Sequence, residues 1–476
     1  MNRRSLQGWC VLGAILLGLF AGGVLIQPAT GQKGPASGDA KAVVPADLYV
    51  DDDNAGPQDG SALRPFRTVQ QAIKAAKGNA VIAVAGGTYP ENLRVQEKVV
   101  RLYGGYVGGT KASYAQGTPG NFKERDPAAN PSHLRGNGKD SVVTLFQAGA
   151  SVVDGFRVTG GAHSSVPDWS SFGGGFFIVQ GSPTISNNLI EKNQSCPPVP
   201  QKDEKRGGGI YATGATISIL NNVIRNNVSG RGAGIFAEGP KLVIRGNTVS
   251  HNIGVSDHGG GIFLFSPNAE ISHNRIEGNE IGRALKYGWG GGIIVVNRGG
   301  NFKLSHNIYT RNFAPTDGSA FFVDEGGVAS LHHELFYANA ENPDGDRPVA
   351  PVYVDGDGKV GSTLTMNHVT IADHTRKPGG AGHAITVEGK SRLTVSNSIL
   401  WNNGGNDIGD VDKTNKITVS YTLSQKMLKG IGNLAKDPLF VNPASRDYRL
   451  REGSPAIGAA EPGPNGRANL GALANT

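Results

Sequence analysis

Two aspartates near the middle of the chain, Asp324 and Asp355, have the residue type and spacing of a paired-carboxylate site. Each follows a short apolar segment, FFV before Asp324 and VYV before Asp355. If these segments are equivalent strands on neighbouring coils, the two carboxyl groups lie close enough to share one proton or to bind one cation. We therefore assign Asp324 and Asp355 as catalytic candidates, and Asp324, Glu325 and Asp355 as ligands of an expected Ca²⁺.

Two basic residues in the preceding loops, His258 and Lys286, complete this candidate site. Cleavage of a uronic acid polymer by elimination needs a cation that neutralises the carboxylate and a base that removes the C5 proton. His258 and Lys286 are the catalytic bases nearest in the repeat frame, and Asp257 and Asp317 come from equivalent loops. The alternative interpretation is ordinary solvated charge at turns.

Two outward columns of side chains are predicted beside these residues. Side chains alternate between the two faces of a strand, and equivalent positions on successive coils lie about 4.8 Å apart. With Ile210, Ile235 and Ile262 pointing inward, the first outward column contains Phe177, Tyr211, Phe236, Phe263, Ile294, Phe322, Tyr353 and Ile385. The second column, two residues further along, contains Val179, Thr213, Glu238, Phe265, Val296, Asp324, Asp355 and Val387.

The first column is mostly aromatic, which suits stacking against sugar rings. Its candidate substrate-binding residues are Tyr211, Phe236, Phe263, Phe322 and Tyr353. Two alternatives stay open: the rings form a ladder that stacks only on itself, or long loops cover them.

These positions depend on a repeat that is clearest between Gly207 and Asn279. The segments GGGIYATGATISILNNVIRNN, GAGIFAEGPKLVIRGNTVSHN and GGGIFLFSPNAEISHNRIEGN each open on glycines and continue through short alternating apolar segments. None is long enough to fold alone, and a period of about 25 to 30 residues predicts a solenoid.

Asparagine recurs in the repeat in the order Asn, any residue, apolar residue, two residues, Asn. The frame occurs at Asn188/Ile190/Asn193, Asn222/Ile224/Asn227, Asn247/Val249/Asn252, Asn274/Ile276/Asn279, Asn307/Tyr309/Asn312 and Asn397/Ile399/Asn402. Two coils depart from it: one has Glu334 before Phe336 and Asn339, and the other has Asn367 before Val369 but Ala372 in place of the second asparagine. Asparagine tolerates left-handed backbone angles and can stack in hydrogen-bonded ladders. The frame therefore predicts coil corners.

The N-terminal part has a different composition. Residues 1–31 combine two arginines, an apolar run and small residues at the end, which predicts a signal peptide, with a retained membrane anchor as the alternative. Residues 32–47 are predicted to be a flexible linker. Residues 48–137 hold an N-terminal cap and first coils with a long loop at 108–137, and residues 138–476 hold the solenoid and a closing segment. Apolar spacing between Phe66 and Ala76 predicts a helix that caps the first coil.

Charge and cysteine content restrict the partners. The net charge of +7 falls to 7 − 2 = +5 without Arg3 and Arg4, the only charged residues of the predicted signal peptide. This mild excess, without a Lys/Arg-rich run, argues against nucleic acid and suits a polysaccharide, an anionic one included. Only Cys196 follows the signal segment, so no internal disulfide is expected. We expect a monomer that is secreted, periplasmic or on the cell surface, with membrane contact only through an uncleaved signal segment.

Several further segments resemble those of a known family. YVDD at 49–52, PFRTVQQAI at 65–73 and GTYPE at 87–91 are similar to the opening of exported β-helix proteins, and DPLF at 437–440, DYRL at 447–450 and GSPAIG at 453–458 to the closing segment of surface-associated ones. With the repeats, they resemble the right-handed parallel β-helix proteins of the pectate-lyase-like superfold. The resemblance implies an all-β, right-handed parallel β-helix with an N-terminal helical cap.

The catalytic motifs of the best-known members are absent. The paired-aspartate pattern of polygalacturonase-like hydrolases, the Asp-Pro-His-Glu of alginate epimerases and the Trp-Ile-Asp-His of pectate lyases do not occur. The opening is also similar to that of chondroitinase-B-like and alginate lyases, which use a Lys/Arg pair with calcium, but that pair does not map onto specific positions here. The sequence favours an exported protein that engages polysaccharide, either as a polysaccharide lyase or glycoside hydrolase or as a non-catalytic surface, adhesion or structural protein.

Overall fold

The computed structural model describes residues 41–166, 172–197, 205–265, 268–282, 285, 287–296, 300–341, 350–356, 358–374, 383–464 and 466–473. The predicted signal peptide, most of the predicted linker and Lys286 lie outside these residues. Residues 34–476 form one compact unit. Within the described residues, no helix is long and apolar enough to cross a membrane.

Each coil of the solenoid contributes one strand to each of three long sheets. Sheet one has 11 strands, in spatial order Leu93–Gln96, Val143–Phe146, Phe176–Val179, Ile210–Thr213, Ile235–Glu238, Ile262–Phe265, Ile293–Val296, Phe321–Asp324, Val352–Val354, His383–Val387 and Asn406–Asp410. Every neighbouring pair in this sheet is parallel, as the pairing of Ile210 with Ile235 and of Ile235 with Ile262 illustrates.

Sheet two follows sheet one in each coil. Its strands are Leu48–Val50, Val81–Ala85, Arg101–Gly108, Val152–Asp154, Thr184–Ser186, Thr216–Leu220, Lys241–Arg245, Asn268–Ser272, Asn301–Ser305, Val328–His332, Thr363–Asn367, Arg392–Ser396 and Lys416–Ser420, with Asn121–Arg125 added antiparallel to Arg101–Gly108.

Sheet three closes each coil. Its strands are Gly87–Tyr89, Ser132–Arg135, Phe156–Thr159, Leu189–Glu191, Val223–Arg225, Thr248–Ser250, Arg275–Glu277, Ile308–Thr310, Leu335–Tyr337, Thr370–Ala372, Ile399–Trp401, Leu423–Ser424 and Leu434–Ala435. Sheet four is short, with Val228–Ser229, Ile253–Gly254, Glu280–Ile281, Phe313–Ala314 and Ala340–Glu341.

The core lies between the sheets and is filled by the inward residue of each strand. In one coil, Ile210 from sheet one, Ile217 and Ile219 from sheet two and Ile224 from sheet three are all fully buried in the same cluster. Burying one such side chain contributes about 1.5–3 kcal/mol. The alternation predicted from the repeats therefore places one apolar layer inside each coil.

Two asparagine ladders form the corners that flank sheet three, as predicted. In the first, Asn188, Asn222, Asn247, Asn274 and Asn307 follow one another, each Nδ2 donating to the Oδ1 of the next at 2.9–3.0 Å. In the second, Asn193, Asn227, Asn252, Asn279, Asn312 and Asn339 repeat this pattern. The residue before each ladder asparagine in these coils has a left-handed backbone, such as φ 55° at Asn221. The ladders satisfy polar groups that the corners bury.

The predicted frame is wrong in the last two coils. Pairing of Ile371 with Phe336 and with Leu400 places Val369 and Ser398, rather than Asn367 and Asn397, at the first-ladder position. The Val369 N–H donates to Ser398 Oγ at 3.1 Å in place of an asparagine. Asn397 is adjacent to Ser398 and Asn367 lies two residues before Val369, and sequence spacing alone does not show which of these residues occupies the ladder position.

Histidines occupy the corner position just before the first ladder in four successive coils. The rings of His273, His306, His333 and His368 are nearly parallel, with centroids 4.9–5.0 Å apart. Burial, followed by the neighbouring histidines, lowers the pKa of His333 to about 4. Burial is also the main cause that lowers the pKa of His306 and of His368.

The first coil is capped by a helix, as predicted, although the helix spans Val69–Ala75 and is shorter than the predicted segment. Val69, Ala72 and Ile73 are buried and join the core of the first coils. The Thr68 side chain accepts from the Gln71 N–H and ends the preceding extended segment. The helix therefore covers the apolar end of the solenoid.

The stretch predicted as a long loop contains regular structure. It holds a short helix, Lys111–Ala115, and the strands Asn121–Arg125 and Ser132–Arg135. Ser132–Arg135 lies in sheet three between Gly87–Tyr89 and Phe156–Thr159, so it is part of a coil. Its Ser-His-Leu-Arg sequence carries a single apolar residue, which is too weak a pattern to predict a strand.

The closing segment packs against the outward face of sheet three in the last coils. It contains the antiparallel strands Phe440–Asn442 and Asp447–Leu450 around a 3-10 turn at Pro443–Ser445, and a second pair at Pro462–Gly463 and Gly466–Arg467. Tyr448 lies 5.2 Å from the ring of Tyr337, and both belong to a cluster separate from the main core. The segment leaves the sheet-three face of the earlier coils uncovered by this cluster.

Candidate functional site

The aromatic column on the outward face of sheet one is buried. Tyr211, Phe236, Phe263, Phe322 and Tyr353 pair in register as predicted, but their exposed fractions are 2, 2, 7, 2 and 4 %. Phe177, Tyr211, Phe236 and Phe263 stack in sequence with ring centroids 5.0–5.7 Å apart. Because sugar rings cannot reach these faces, the assignment of the five as an open stacking platform is wrong. The column is a second apolar cluster outside the main core.

A row of side chains from the loops covers this column. Each residue of this row comes immediately before a glycine that leads into a strand of sheet one. We call the set the pre-glycine row: Phe172, Arg206, Arg231, His258, Trp289 and Asp317. Bridges join Phe172 to Arg206, Arg206 to Arg231, and His258 to Trp289 across neighbouring coils. The row therefore runs along the solenoid axis, parallel to the aromatic column.

The glycine after each of these residues explains the cover. At Gly207 the φ of 67° is left-handed, and a Cβ there would lie 2.6 Å from the carbonyl oxygen of Ile210. Only glycine lets the chain fold this closely over the strand that follows. The Arg206 guanidinium consequently lies 4.9 Å from the centroid of Phe236. Cation–π contact and apolar packing hold the loops on the column.

Three carboxylates form a row at the end of the same face. Val323 pairs with Val354, and Val354 with Val387, so the next positions align Asp324, Asp355 and Glu388 on successive coils. Hydrogen bonds from the Asp355 N–H to Val323 and from the Glu388 N–H to Val354 continue this register. The prediction that Asp324 and Asp355 are neighbours agrees with it, and we call the three residues the carboxylate row.

Glu388 was missed because the strand His383–Val387 is shifted by one residue from the predicted columns. Tyr353 pairs with Thr386, which places Ile385 and Val387 on the inward side. The prediction counts the inward and outward positions from the glycines at 379, 380 and 382, whereas the strand begins at His383. The apolar Ile385 and Val387 are the signal that places Glu388 outward.

A tyrosine hydroxyl holds one end of the row. The Tyr353 hydroxyl donates to Glu388 Oε2 at 2.6 Å, and the Tyr353 side chain is itself buried. Burial, and next the charge of Asp317, raises the pKa of Tyr353 above its usual range. Asp317, from the pre-glycine row, is only 4 % exposed. The carboxylate row therefore has a buried tyrosine and a buried aspartate behind it.

Asp355 at the centre of the row retains a proton near neutrality. Burial is the main cause that raises its pKa to about 7, and the charges of Asp324 and Glu388 add to it. Gly389 makes this position possible, because a Cβ on it would lie 2.8 Å from Asp355 Oδ1. One proton donor thus lies between two carboxylates on adjacent coils, which is the arrangement of a general acid beside a base or nucleophile.

The predicted three-carboxylate metal site does not converge. Asp324 Oδ1 accepts from the N–H of Glu325 at 2.6 Å, and Glu325 is exposed at a left-handed turn with φ 51°. No group of three His, Cys, Asp or Glu side chains suited to a metal ion occurs in the described parts of the chain. Asp324, Glu325 and Asp355 are therefore not grouped as a metal site within the described residues.

His258 lies in the middle of the pre-glycine row. Its Nδ1 is 2.8 Å from Asp257 Oδ1, and its ring stacks on Trp289 with centroids 5.1 Å apart. Arg231 Nη2 lies 3.2 Å from the same carboxylate oxygen. The contact with His258, above all, holds the pKa of Asp257 below its usual range. The contacts with Asp257 and Trp289 together fix the position of the His258 ring.

The predicted residues thus fall into two groups on one face. Asp324 and Asp355 belong to the carboxylate row, whereas His258 belongs to the pre-glycine row; Lys286 is outside the described residues. The exposed aromatic side chains of this region are Tyr287, 55 % exposed in the loop before Trp289, and Phe265, 40 % exposed at a strand end. The residue before each glycine cluster is the sequence signal for the covering row.

Two family models match parts of the chain. A family model described as "Right handed beta helix region" matches residues 170–342, and one described as "Protein of unknown function (DUF1565)" matches residues 52–228. No curated protein sequence matches the chain.

Among solved structures, the chain is similar to one titled "Crystal structure of pectate lyase Pel9A", with 14% identity, a TM-score of 0.45 and coverage of 90% of this chain and 96% of that one. It is also similar to "The complex structure of XylC with xylose", with 12% identity, a TM-score of 0.34 and coverage of 83% and 87%. The stacked parallel sheets, the corner ladders and the family match make this chain a right-handed parallel β-helix repeat protein.

Proposed function

We propose that this chain is an exported glycoside hydrolase that cleaves a polysaccharide at the carboxylate row. The observation that carries the proposal is Asp355, a half-buried carboxyl group with a pKa of about 7 between Asp324 and Glu388. Hydrolysis of a glycosidic bond needs an acid that protonates the leaving oxygen and a carboxylate that acts on the anomeric centre. Asp355 supplies the acid, and its two neighbours supply the carboxylate.

The spacing of the coils favours one stereochemical outcome. Asp355 is one strand away from both Asp324 and Glu388, and neighbouring strands lie about 4.8 Å apart. Carboxyl groups about 5–5.5 Å apart are typical of retaining enzymes, because one of them attacks the sugar directly. We therefore propose a covalent glycosyl intermediate and retention of anomeric configuration.

Among the two partners, Glu388 is the better nucleophile candidate. Its Oε2 accepts from the Tyr353 hydroxyl at 2.6 Å, which orients the carboxylate. Asp324 then stays beside Asp355 as the charge that keeps the acid protonated. In this assignment Asp355 first acts as an acid and then as the base that activates water.

The test is release of reducing ends from a panel of neutral and acidic polysaccharides by the wild type, Asp355→Asn and Glu238→Gln. Glu238 lies in the same outward column, three coils before Asp324, and serves as the matched control. We expect Asp355→Asn to lose about 100-fold or more in activity and Glu238→Gln to keep it. Aryl glycosides with good leaving groups should restore the first step in Asp355→Asn. No product from the wild type on any substrate contradicts the proposal.

A second candidate function is a polysaccharide lyase that uses His258 as its base. The supporting observation is the 2.8 Å contact between Asp257 and His258 Nδ1, beside the Trp289 ring. Elimination yields unsaturated ends that absorb ultraviolet light, whereas hydrolysis does not. Ultraviolet-absorbing product that His258→Gln abolishes and Asp355→Asn spares would replace the hydrolase with the lyase. Calcium, added and chelated in parallel, decides whether this activity needs the cation.

The non-catalytic alternative is a surface or adhesion protein. It is supported by the buried state of the aromatic column, which stabilises the fold and exposes no platform. Glycan binding without any product, unchanged in an Asp324→Ala/Asp355→Ala double variant, would favour this alternative over both enzymes.

A further inference from the structure

We propose that the outward face of sheet three binds a linear polyanionic polysaccharide along a stripe of cationic side chains, at a site separate from the carboxylate row. The stripe consists of residues that share this face or its corner: Arg135, Arg157, Lys192, Arg225, Arg275, Arg311 and Arg446. The carboxylate row lies on sheet one, a different face of the solenoid. The proposal therefore goes beyond the proposed function and does not depend on it.

The stripe follows the solenoid axis. Arg135 pairs with Thr159, and Arg157 is in the same strand as Thr159. Further along sheet three, Arg225 and Arg275 lie within strands, whereas Lys192 and Arg311 directly follow strands. Six strand-to-strand steps separate Ser132–Arg135 from Ile308–Thr310, which corresponds to about 29 Å at about 4.8 Å a step. Nearly every coil on this path adds one cation.

Two buried carboxylates organise the arginines without neutralising them. Glu191 accepts from Arg157 at 2.8 Å and from Arg225 at 2.8 Å, and its side chain is only 3 % exposed. Since one carboxylate serves two guanidinium groups, each such trio keeps one positive charge. The arginine side chains remain 40 and 45 % exposed. A ligand can therefore reach them.

The second trio repeats this arrangement three strands further along. Glu277 pairs with both Arg275 and Arg311, whose side chains are 38 and 37 % exposed. Arg446, from the closing segment, approaches the same place: burial first, and then the charges of Arg446 and Arg275, lower the pKa of Arg311. Two guanidinium groups thus share Glu277, and Arg446 adds a further positive charge close to them where the closing segment meets the stripe.

Two histidines along the stripe experience the same positive field. Burial and then two neighbouring arginines lower the pKa of His133, with Glu191 opposing them. Burial and then Arg311 and Arg225 lower the pKa of His251, with Glu280 of sheet four opposing them. The excess of positive charge therefore extends from the first coils to Arg311.

The count of formal charges shows how strongly the positive charge is concentrated in the stripe. Six arginines and one lysine against Glu191 and Glu277 give 7 − 2 = +5 for the stripe. The chain beyond residue 31 also has a formal charge of 7 − 2 = +5. The formal charges of the residues outside the stripe therefore sum to zero, and the stripe accounts for the whole net positive charge of the chain beyond residue 31.

A linear polysaccharide fits this line better than a lipid surface or a nucleic acid. The cations lie in a file rather than a plane, so an extended chain with one anionic group on each or every second sugar can contact them in series. None of the large exposed hydrophobic side chains among the described residues lies on a sheet-three strand. The stripe thus lacks the aromatic platform for stacked bases and the apolar anchor for a membrane.

The experiment measures binding of the intact chain to fluorescein-labelled polygalacturonate and chondroitin sulfate by fluorescence anisotropy, over a series of salt concentrations. The test variant is Arg135→Gln/Lys192→Gln/Arg446→Gln, three residues that form no ion pair within the described part of the chain, so the fold should persist. We expect affinity at low salt to fall by about tenfold or more and the slope of log K against log salt to decrease. Circular dichroism and melting verify the fold.

The matched control is Lys241→Gln/Lys303→Gln/Lys416→Gln, which removes the same charge from exposed positions on sheet two. It should change the affinity by less than about twofold. Equal losses in both triple variants, or no binding of either polyanion by the wild type, would overturn the proposal. So would tighter, stripe-dependent binding to RNA or to anionic vesicles than to the polysaccharides. Asp355→Asn should bind like the wild type, which separates this site from the proposed catalytic one.

Discussion

Replacing Glu334 with glutamine should stabilise the protein, and increasingly so as the pH rises. Glu334 takes the place of an asparagine in the first ladder: Asn307 Nδ2 donates to its Oε1 at 3.0 Å, and the side chain is fully buried. Burial is the main cause that raises the pKa of Glu334 well above its usual 4.5. The folded protein therefore holds a neutral carboxylic acid where other coils hold an amide.

The sign and size of the effect follow from proton linkage. A raised folded-state pKa means that this stability contribution is fully present below pH 4.5 and is lost as the pH rises towards the folded pKa, because only the unfolded chain releases the proton. The loss is about 1.4 kcal/mol per pH unit in that window. The loss stops at the folded pKa, so the pH at which the two proteins cease to diverge reports how far the pKa of Glu334 is raised. Glutamine keeps the shape and hydrogen-bonding groups and has no proton to lose.

Equilibrium urea unfolding between pH 4.5 and 7.5 measures this difference. The free energy of unfolding of Glu334→Gln should match the wild type near pH 4.5 and exceed it progressively above. Glu270→Gln, on an exposed position of sheet two, is the matched control and should show no such trend. A Glu334→Gln variant that is less stable by the same amount at every pH would refute the neutral-acid interpretation and indicate an ionised Glu334.

Three further outcomes follow from the same structure. Phe236→Ala should reduce the free energy of unfolding by about 3–5 kcal/mol in denaturant titration, because its buried ring stacks on both neighbours in the column; a loss of glycan binding without loss of stability would contradict this. Tyr353→Phe removes the 2.6 Å hydrogen bond to Glu388, so turnover of a cleaved polysaccharide should fall more than its KM changes. His333→Asn should make the melting temperature less sensitive to acid between pH 6.5 and about 4. Because the pKa of His333 is lowered in the folded protein, its contribution to stability is fully present above pH 6.5 and is lost as the pH falls. Identical pH curves for variant and wild type would refute this.

Much of the architecture followed from local sequence patterns. Glycine clusters, alternating apolar residues and paired asparagines predicted the solenoid, the inward column at Ile210, Ile235 and Ile262, and both corner ladders. Each coil repeats the same backbone path, so equivalent residues of successive coils have the same environment. For this reason the pattern within one repeat is enough to predict these features. The frame failed at Val369 and Ser398, where the ladder position holds no asparagine and an asparagine lies one or two residues earlier.

The candidate site was only partly predictable. The neighbouring positions of Asp324 and Asp355 followed from the alternation of inward and outward residues. The position of Glu388 depends on the register of the strand His383–Val387, which only the structure shows. Burial of the aromatic column was not visible in the strands, because the cover comes from loop residues such as Arg206 and Trp289. The charge of the stripe on sheet three was likewise dispersed over more than 300 residues, from Arg135 to Arg446.

The sequence by itself determined that this chain forms coils, because the inward, outward and corner positions are set by period and residue type within each repeat. Tertiary structure alone decided which outward residues are accessible and which charges share a neighbourhood. The physical reason is that stacking brings residues 25 to 35 positions apart to within about 5 Å, where burial and Coulomb interactions act. Those contacts make Asp355 a proton donor and Glu334 a neutral rung of the ladder.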